Sequence, residues 1–207
     1  YQATTMLQTS PRVSAVSFII LSIAFVFTLA FPYYTHANTT LLHEFAGGTD
    51  DGQYPDGSLV LNASSTFFGV TTEGGDTGKG TIFSMHITGA AFTLLHEFAG
   101  GTDDGQQPEG PLTLDGTTLY GVTSAGGDDN LGTIYSIQTN GTGFTILHEF
   151  SGGAGDGQQP EGPLTLDGTT LYGTTYKGGD DNLGTIYSIQ TNGTGFSLLH
   201  EFAGGTD

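Results

Sequence analysis

The chain is a tandem repeat, and the repeat limits what it can fold into. The marker His-Glu-Phe stands at residues 43–45, 96–98, 148–150 and 200–202, so the period is 53, 52 and 52 residues. Residues 99–150 return as residues 151–202 with eight of 52 positions changed. A fixed period of about 50 residues is typical of repeated supersecondary units, each of which buries its apolar faces against its neighbours.

Each period contains four strand-sized segments separated by turn signals. In the second repeat we predict strands at residues 111–115, 118–124, 133–138 and 144–150. Asp115-Gly116 and Asn140-Gly141 are typical of tight hairpin turns, and a glycine-rich loop at 125–132 separates the second and third strands. No window outside the N-terminal leader has helical periodicity.

Four antiparallel strands in about 50 residues is the size of one β-propeller blade. The sequence therefore predicts an all-β, propeller-type array of four-stranded antiparallel blades behind an N-terminal hydrophobic signal or anchor helix. Ile146 and Leu147 must point to opposite faces of the fourth strand, yet both are apolar, as expected for a blade with a neighbour on each side.

The repeat boundaries divide the chain into six parts. These are a leader (1–37), a first fourth-strand copy at Thr39–Phe45 with its link (38–57), three blades (58–98, 99–150 and 151–202) and the start of another repeat (203–207). Because closed propellers have about four to eight blades, we expect further repeats beyond Asp207. An open stack of three blades would leave both terminal faces exposed.

The leader predicts export. Val13 to Phe31 holds no charged residue, Arg12 precedes it, and the small-residue site Thr35-His36-Ala37 follows it. This pattern indicates a secretory signal cleaved after Ala37. An uncleaved membrane anchor is the alternative, because an apolar run of this length can just span a bilayer. Both interpretations place the remainder outside the cytoplasm, either secreted, in the periplasm or at the cell surface.

The charge of the chain argues against nucleic acid as a partner. Beyond the leader, the chain has 21 acidic residues and only two basic ones, Lys79 and Lys177. Phosphate backbones need clustered lysine and arginine, so we exclude nucleic acid, and we expect membrane contact only through the N-terminal segment if it is uncleaved. The chain has no cysteine, which removes disulfides and thiolate metal sites from consideration.

Calcium is the one cofactor that the loops suggest. Two glycine-flanked loops offer side-chain oxygens, which Ca²⁺ binds in sets of about six to eight. Their candidate ligands are Asp128, Asp129, Asn130, Asp180, Asp181 and Asn182. The spacing of an EF-hand is absent, and Asp and Gly are ordinary turn residues, so solvated turns are the simpler explanation of the pattern. No cofactor is therefore required.

The four His-Glu pairs are also candidate metal or acid–base groups. Adjacent residues of a strand point to opposite faces, so His148 and Glu149 cannot converge on one ion from within their own strand. The alternation places His148 on the face of Ile146 and Phe150, which predicts a packed, hydrogen-bonded histidine in each blade.

No sequence motif indicates catalysis. The chain lacks a G-x-S-x-G elbow, a His-Glu-x-x-His pair, a P-loop and a cysteine nucleophile. A carboxylate pair for glycoside cleavage stays open, since acidic residues are abundant. Near-identical blades nevertheless repeat the same groups around an axis, whereas an active site brings unlike groups to one point. We therefore expect a protein that is not an enzyme.

A known repeat family shares the signature of these blades. The third copy contains Leu171-Tyr172-Gly173-Thr174-Thr175, then Gly178-Gly179, then Gly184-Thr185-Ile186-Tyr187, and looser versions begin at Leu119 and Phe67. In this signature the chain resembles the Gloeo/Verruco (GloVer) tandem repeats of bacterial secreted or surface-anchored proteins, over essentially all of Thr39–Asp207. The resemblance implies an exported repeat protein, and the family has no established activity or catalytic residues to transfer.

These observations favour a non-catalytic binding protein for an extracellular glycan or protein. The predicted ligand-binding rim consists of an exposed loop residue, Tyr176, and two polar turns at Gln106–Glu109 and Gln158–Glu161. Differences between the second and third copies at Ser124/Tyr176 and Ala125/Lys177 concentrate at one blade edge. The alternatives are a purely structural or surface-layer repeat protein, and accessory repeats of a larger extracellular enzyme.

Overall fold

Three four-stranded antiparallel sheets make up the computed structural model, which describes residues 39–205. Sheet 1 consists of β1 (Gly52–Leu61), β2 (Thr66–Gly74), β3 (Thr81–His86) and β4 (Thr93–Glu97). Sheet 2 consists of β5 (Gly105–Asp115), β6 (Thr118–Gly126), β7 (Thr133–Gln138) and β8 (Thr145–Glu149). Sheet 3 consists of β9 (Gly157–Asp167), β10 (Thr170–Gly178), β11 (Thr185–Gln190) and β12 (Ser197–Glu201). Strand order within each sheet follows the sequence, which confirms the predicted four-stranded unit.

The predicted leader and its cleavage site lie outside the described residues, as does the end of the chain after residue 205. Between residues 39 and 205 every regular element is a strand. No helix in this range is long and apolar enough to cross a membrane.

The hairpin turns form where the sequence predicts them. Asp115 pairs with Thr118 across Gly116, and Gly116 has a positive φ of 57° that a side chain would disfavour. At the next hairpin, Asn140 Oδ1 accepts hydrogen bonds from the backbone N–H and the hydroxyl of Thr142. The third strand, Thr133–Gln138, therefore has the predicted ends, because turn chemistry fixes it on both sides.

The first strand of each sheet begins earlier than the sequence predicts. In sheet 2 it starts at Gly105 and not at residue 111, and the second strand continues to Gly126. The pairing register shifts between Glu109 and Thr113, which is a β-bulge. The proline and glycines of this stretch resemble a turn in sequence, but the bulge accommodates them within a strand.

Each sheet packs face to face against the next, as the blades of a β-propeller do. Sheets 1 and 2 enclose one hydrophobic cluster, which includes Phe68, Val70, Leu119 and Tyr135. Sheets 2 and 3 enclose a second cluster, built from the equivalent residues one repeat further on. Sheet 2 therefore has a neighbouring sheet on both faces, whereas sheets 1 and 3 each have a neighbouring sheet on one face only.

The fourth strand is apolar on both sides, as predicted, but its histidine faces the other way. Ile146 packs into the cluster with sheet 1 and Leu147 into the cluster with sheet 3. His148 stacks on Phe196 of sheet 3, so it shares the face of Leu147 and not that of Ile146. The prediction was right for Phe150, which joins the same cluster and lies edge-on to His148 at 4.8 Å. It was wrong for Ile146, because a bulge between the Ile134 and Tyr135 pairs interrupts the alternation.

Candidate functional site

One end of the array carries the connections between sheets, and we call it the loop end. It contains the two links that join one sheet to the next (99–104 and 151–156), the equivalent segment before sheet 1 (46–51) and the loops between second and third strands (75–80, 127–132 and 179–184). The pairing of Gly105 with Gly126 and of Thr133 with Glu149 places all of these connections together. The hairpin turns between first and second strands and between third and fourth strands lie at the opposite end of the sheets.

An aspartate in each link holds the histidine of the preceding strand. The Nε2 atoms of His43, His96 and His148 lie 3.1 Å from the Oδ1 atoms of Asp51, Asp104 and Asp156. The Asp156 carboxylate also accepts backbone N–H bonds from Ser151 and Gly157. The histidines are half-buried, and each stacks on an aromatic ring of the sheet that follows it. The His96–Asp104 and His148–Asp156 pairs therefore fasten a link to the sheets that it joins, and His43–Asp51 fastens the segment before sheet 1.

The electrostatics of Asp156 and Asp51 favour the ionised form. Burial of Asp156 opposes its ionisation, but the hydrogen bonds from His148, Ser151 and Gly157 outweigh it and hold the pKa below its ordinary value. Burial likewise opposes ionisation of Asp51, while bonds from the Ala46 N–H, His43 and the Gly52 N–H lower its pKa. A carboxylate with this many donors is occupied structurally, which supports the structural interpretation of the histidines.

The glutamate of each His-Glu pair serves a different loop. The carboxylates of Glu97, Glu149 and Glu201 accept the backbone N–H of Asp76, Asp128 and Asp180 at 2.7, 3.1 and 2.9 Å. The histidine thus binds the link that follows its strand, and the glutamate binds the loop of its own sheet. As expected, the two side chains do not converge on one site.

The calcium candidates are spread over the loop end. Asp128, Asp129, Asp180 and Asp181 are exposed. The Oδ1 atom of Asn130 is already occupied, because it accepts the Gly126 N–H at 2.9 Å and the Gln106 Nε2–H at 3.0 Å. Within residues 39–205, no group of three or more His, Cys, Asp or Glu side chains is placed to hold a metal ion. Calcium binding stays a prediction.

The polar residues of the predicted rim lie on strands and not in turns. Gln106 and Glu109 belong to β5, and Gln158 and Glu161 belong to β9. The intervening Gln107 has a positive φ of 56°, which turns its N–H out of the sheet to the Lys79 carbonyl of the preceding sheet at 2.8 Å. The strand therefore continues through residues whose composition is typical of turns.

Each rim glutamine forms an amide pair with the loop of its own sheet. Gln106 donates to Asn130, and Gln158 Nε2 donates to Asn182 Oδ1 at 2.7 Å. Both asparagines have positive φ, of 56° and 57°, and Gly78 takes this place in sheet 1. The sequence contained this signal, because Asn and Gly are the residues that tolerate the left-handed region.

The two rim glutamates lie on the innermost strands, where adjacent sheets approach closely. Asp56 is their counterpart in sheet 1, and its carboxylate accepts the Gly110 N–H at 2.7 Å across the sheet boundary. Burial raises the pKa of Glu109, the neighbouring Ser124 hydroxyl opposes this, and the charges of Glu161 and Asp56 raise it further. The sequence analysis missed this inter-sheet bond, for which no pattern along the chain is a signal.

Tyr176 is exposed, as predicted, but it belongs to strand β10 and not to a loop. Its equivalent in sheet 2, Ser124, is buried and donates to the Gln107 carbonyl. Tyr176 is 61% exposed because it lies on the uncovered face of sheet 3, with the Lys177 ammonium 5.6 Å from its ring centroid.

The His-Asp link was also missed, although its spacing recurs. An aspartate follows the histidine by eight residues in three copies, at His43/Asp51, His96/Asp104 and His148/Asp156. The neighbouring Asp103 is replaced by Gly155 in the next copy, whereas Asp104 is retained as Asp156. That difference between two adjacent aspartates is the signal that could have identified the structural one.

Solved structures with some likeness to this chain include three different proteins. A chain of a nidogen/laminin complex is 19% identical, with a TM-score of 0.48 over 70% of this chain and 48% of that chain. A TolB-like protein from Agrobacterium tumefaciens is 14% identical, with a TM-score of 0.49 over 76% of this chain and 50% of that chain. TolB from Acinetobacter baumannii is 17% identical, with a TM-score of 0.46 over 72% of this chain and 32% of that chain.

The chain spans half or less of the length of these structures. No curated protein matches it. The family model of the Gloeobacter/Verrucomicrobia repeat, in contrast, matches residues 24–207, which include all three sheets. The chain therefore belongs to the Gloeobacter/Verrucomicrobia repeat family.

Proposed function

We propose that this protein is an exported, non-catalytic binding module that presents repeated polar sites to an extracellular glycan or protein. The observation that carries the proposal is the pair of amide sites Gln106–Asn130 and Gln158–Asn182, which are exposed at the loop end in equivalent positions of neighbouring sheets. Export rests on the signal-like leader of the sequence.

The chemistry of the amide pairs suits hydroxyl-rich and peptide ligands. A side-chain amide has two N–H donors and one carbonyl acceptor. In the Gln106–Asn130 pair, one donor of Gln106 and the carbonyl of Asn130 are used internally. The Gln106 carbonyl and the Asn130 amide nitrogen thus provide an acceptor and donors, fixed in position by the pair itself. Glu109 and Glu161 add acceptors along the inner strands.

Repetition favours binding over catalysis. Equivalent sites one repeat apart can hold equivalent groups of a polymer, and linked weak sites gain affinity through effective concentration. Loss of one site then lowers apparent affinity more than its share of the contacts. A single catalytic centre gains nothing from such copies.

A binding screen with matched variants tests this function. The full chain is applied to arrayed extracellular polysaccharides and to surface proteins of the producing cell, beside Q106A/Q158A and a control, T117A/T169A. The control residues are exposed at the opposite end of the sheets, where each hydroxyl bonds a glutamine of its own sheet at 3.1 Å. We expect at least tenfold weaker binding for Q106A/Q158A and unchanged binding for the control. Equal loss in both variants, or no ligand at all, would contradict the proposal.

A structural role is the second candidate, and the uncovered faces of sheets 1 and 3 favour it. Phe202 is 43% exposed, whereas its equivalents Phe98 and Phe150 are 0% and 1% exposed. An array with apolar ends suits assembly into a larger surface structure. Assembly without ligand binding in the same screen would favour this alternative.

A further inference from the structure

The exposed large hydrophobic side chains lie almost entirely at the two ends of the array. Leu59 of sheet 1 is 46% exposed, whereas Leu112 and Leu164 in the same position are 5% and 4% exposed. On the uncovered sides of sheets 1 and 3, the exposed residues are Tyr54, Leu59 and Leu61, and Tyr176, Leu183, Leu199 and Phe202. Sheet 2, covered on both faces, has none. We call these two surfaces the head face (sheet 1) and the tail face (sheet 3).

The two internal joints between sheets are built from the same contacts. In the first joint, the backbone N–H of Gln107 donates to the carbonyl oxygen of Lys79 at 2.8 Å. In the second, the backbone N–H of Gln159 donates to the carbonyl oxygen of Leu131 at 2.7 Å. In the same way, Pro108 packs against Gly80 and Pro160 against Gly132 so closely that neither glycine has room for a Cβ atom. A joint therefore has two complementary halves of known composition.

The head and tail faces are the two unmatched halves of such a joint. On the tail face, the Leu183 carbonyl and Gly184 occupy the places of Leu131 and Gly132. On the head face, the Tyr54 N–H and Pro55 occupy the places of Gln159 and Pro160. Within residues 39–205, no backbone bond outside the strand ladders reaches the Leu183 carbonyl or the Tyr54 N–H, and Tyr54 has no partner in the β1–β2 register. We propose that a second copy of this chain docks its tail face on the head face of the first, forming a third joint like the two internal ones.

Residues Leu41–Phe45 already occupy part of the head face, so they compete with a second copy for that place. His43 stacks on Phe92 at 3.9 Å, where the equivalent contact of the next joint is His96 on Phe144 at 3.8 Å. These residues thus fill the place of a preceding fourth strand, although they belong to none of the sheets. Residues 41–50 have the sequence LLHEFAGGTD. Residues 198–207, which begin within β12, have the identical sequence.

The docked joint has room for one fourth strand, and hydrogen bonding decides which segment fills it. β12 is paired with β11, and its release would break that pairing. Release of Leu41–Phe45 breaks no strand pairing. We infer that β12 of the incoming copy enters, that its His200 takes the place of His43 on Phe92, and that Leu41–Phe45 leaves the head face.

The joint is heterologous, since unlike faces meet. Where the rotation between copies closes, such a contact forms a ring of sheets like the blades of a closed propeller. Without closure, the same contact repeats into a filament. Both copies are strongly acidic, so screening of their repulsion by salt must strengthen the association.

Cross-linking tests the joint directly, because the chain has no cysteine of its own. The full chain, purified in mild detergent, is prepared as Y54C and L183C, mixed and oxidised. The two residues correspond to Gln159 and Leu131, which are bonded through their backbones. We expect a disulfide-linked pair of chains. In the control mixture, L131C replaces L183C, since Leu131 has the same place in sheet 2 but is covered by sheet 3.

An intramolecular L131C/Q159C disulfide verifies that the joint geometry permits the bond. If that bond forms and Y54C cross-links with L183C no more than with L131C, the proposed joint is wrong. The same result is expected if other repeats or another protein cover these faces.

Two equivalent histidines give opposite predictions in an uncross-linked assay. Sedimentation velocity of the full chain is compared for H43A and H200A over a concentration series at 50 and 500 mM NaCl. H43A weakens the competing segment and should lower the dissociation constant at least threefold, whereas H200A should raise it at least threefold. Association should be stronger at the higher salt concentration. A monomer at all concentrations, or the same direction of change in both variants, would overturn the proposal.

Discussion

At the scale of single residues, the chain provides its own comparisons, because one position appears in three sheets. Tyr135 and Tyr187 are fully buried, and their hydroxyls have no hydrogen-bond partner among the described residues. Burial raises the pKa of Tyr135, with a further contribution from the Asp104 charge, so the hydroxyl stays neutral. Sheet 1 has Phe83 in this place and buries it equally well.

We predict that Y135F leaves the free energy of unfolding unchanged or raises it by about 1 kcal/mol, since an unpaired buried polar group costs ~1–3 kcal/mol. Y120F is the matched comparison, because the Tyr120 hydroxyl does have partners. Burial and the Asp115 charge raise the pKa of Tyr120, while hydrogen bonds to Thr191 and Thr118 lower it. This variant should lose about 1 kcal/mol with its hydrogen bonds. Urea unfolding measures both. A larger loss for Y135F than for Y120F would show that the Tyr135 hydroxyl does have a partner.

The His-Asp links predict a dependence of stability on pH. The folded state lowers the pKa of Asp156, so its contribution is present above the unfolded pKa of about 3.9 and is lost as pH falls through the folded value. In D156N, the decline in stability between about pH 5 and pH 3 should therefore be shallower. At neutral pH the variant should lose about 1–3 kcal/mol of stability.

The exposed Asp103 is the control for this titration, since D103N removes the same formal charge from the same kind of link. Urea midpoints measured from pH 7 to pH 3 compare the two variants. If D103N flattens the profile as much as D156N, general charge repulsion and not the His-Asp link causes the acid sensitivity.

At the scale of strands, the sequence predicted the elements bounded by turns and missed those bounded by neighbouring sheets. Thr133–Gln138 was predicted to the residue because Gly132 and Asn140-Gly141 define its ends locally. The start of β5 was missed because its cause lies in another sheet, where the Lys79 carbonyl accepts the Gln107 N–H. The face of His148 was missed for a similar reason, since a bulge depends on the partner strand. Rules that act along the chain therefore predicted the strands within each sheet but not the contacts between sheets.

The bond from Gln107 to Lys79 can be tested at its unusual backbone conformation. Its positive φ of 56° suits glycine and excludes proline, whose φ is fixed near −65° and which has no N–H. Q107G should therefore change the stability by less than about 1 kcal/mol, whereas Q107P should lower it by about 3 kcal/mol or more. Thermal unfolding of the two variants measures the difference. Equal stability would mean that this N–H does not hold the sheets together.

At the scale of the whole molecule, stability should depend on how many neighbours a sheet has. β7 and β11 have the same sequence, TIYSIQ, and the same pairing within their sheets. They differ in coverage, because Ile134 is fully buried between sheets 2 and 3 whereas Ile186 faces the uncovered side of sheet 3. In a linear array, each unit is stabilised by its own fold and by the interfaces with its neighbours.

Hydrogen exchange can measure this difference in local stability between β7 and β11 without a mutation. In dilute protein at low salt, the β7 amides should exchange at least tenfold more slowly than those of β11, a difference of ~1.4 kcal/mol in opening free energy. Docking of a second copy on the tail face would cover β11 as sheet 3 covers β7, so the difference should shrink as protein concentration and salt rise. Equal exchange in the dilute monomer would mean that the sheets open as one unit. A difference that persists under associating conditions would mean that the tail face stays uncovered.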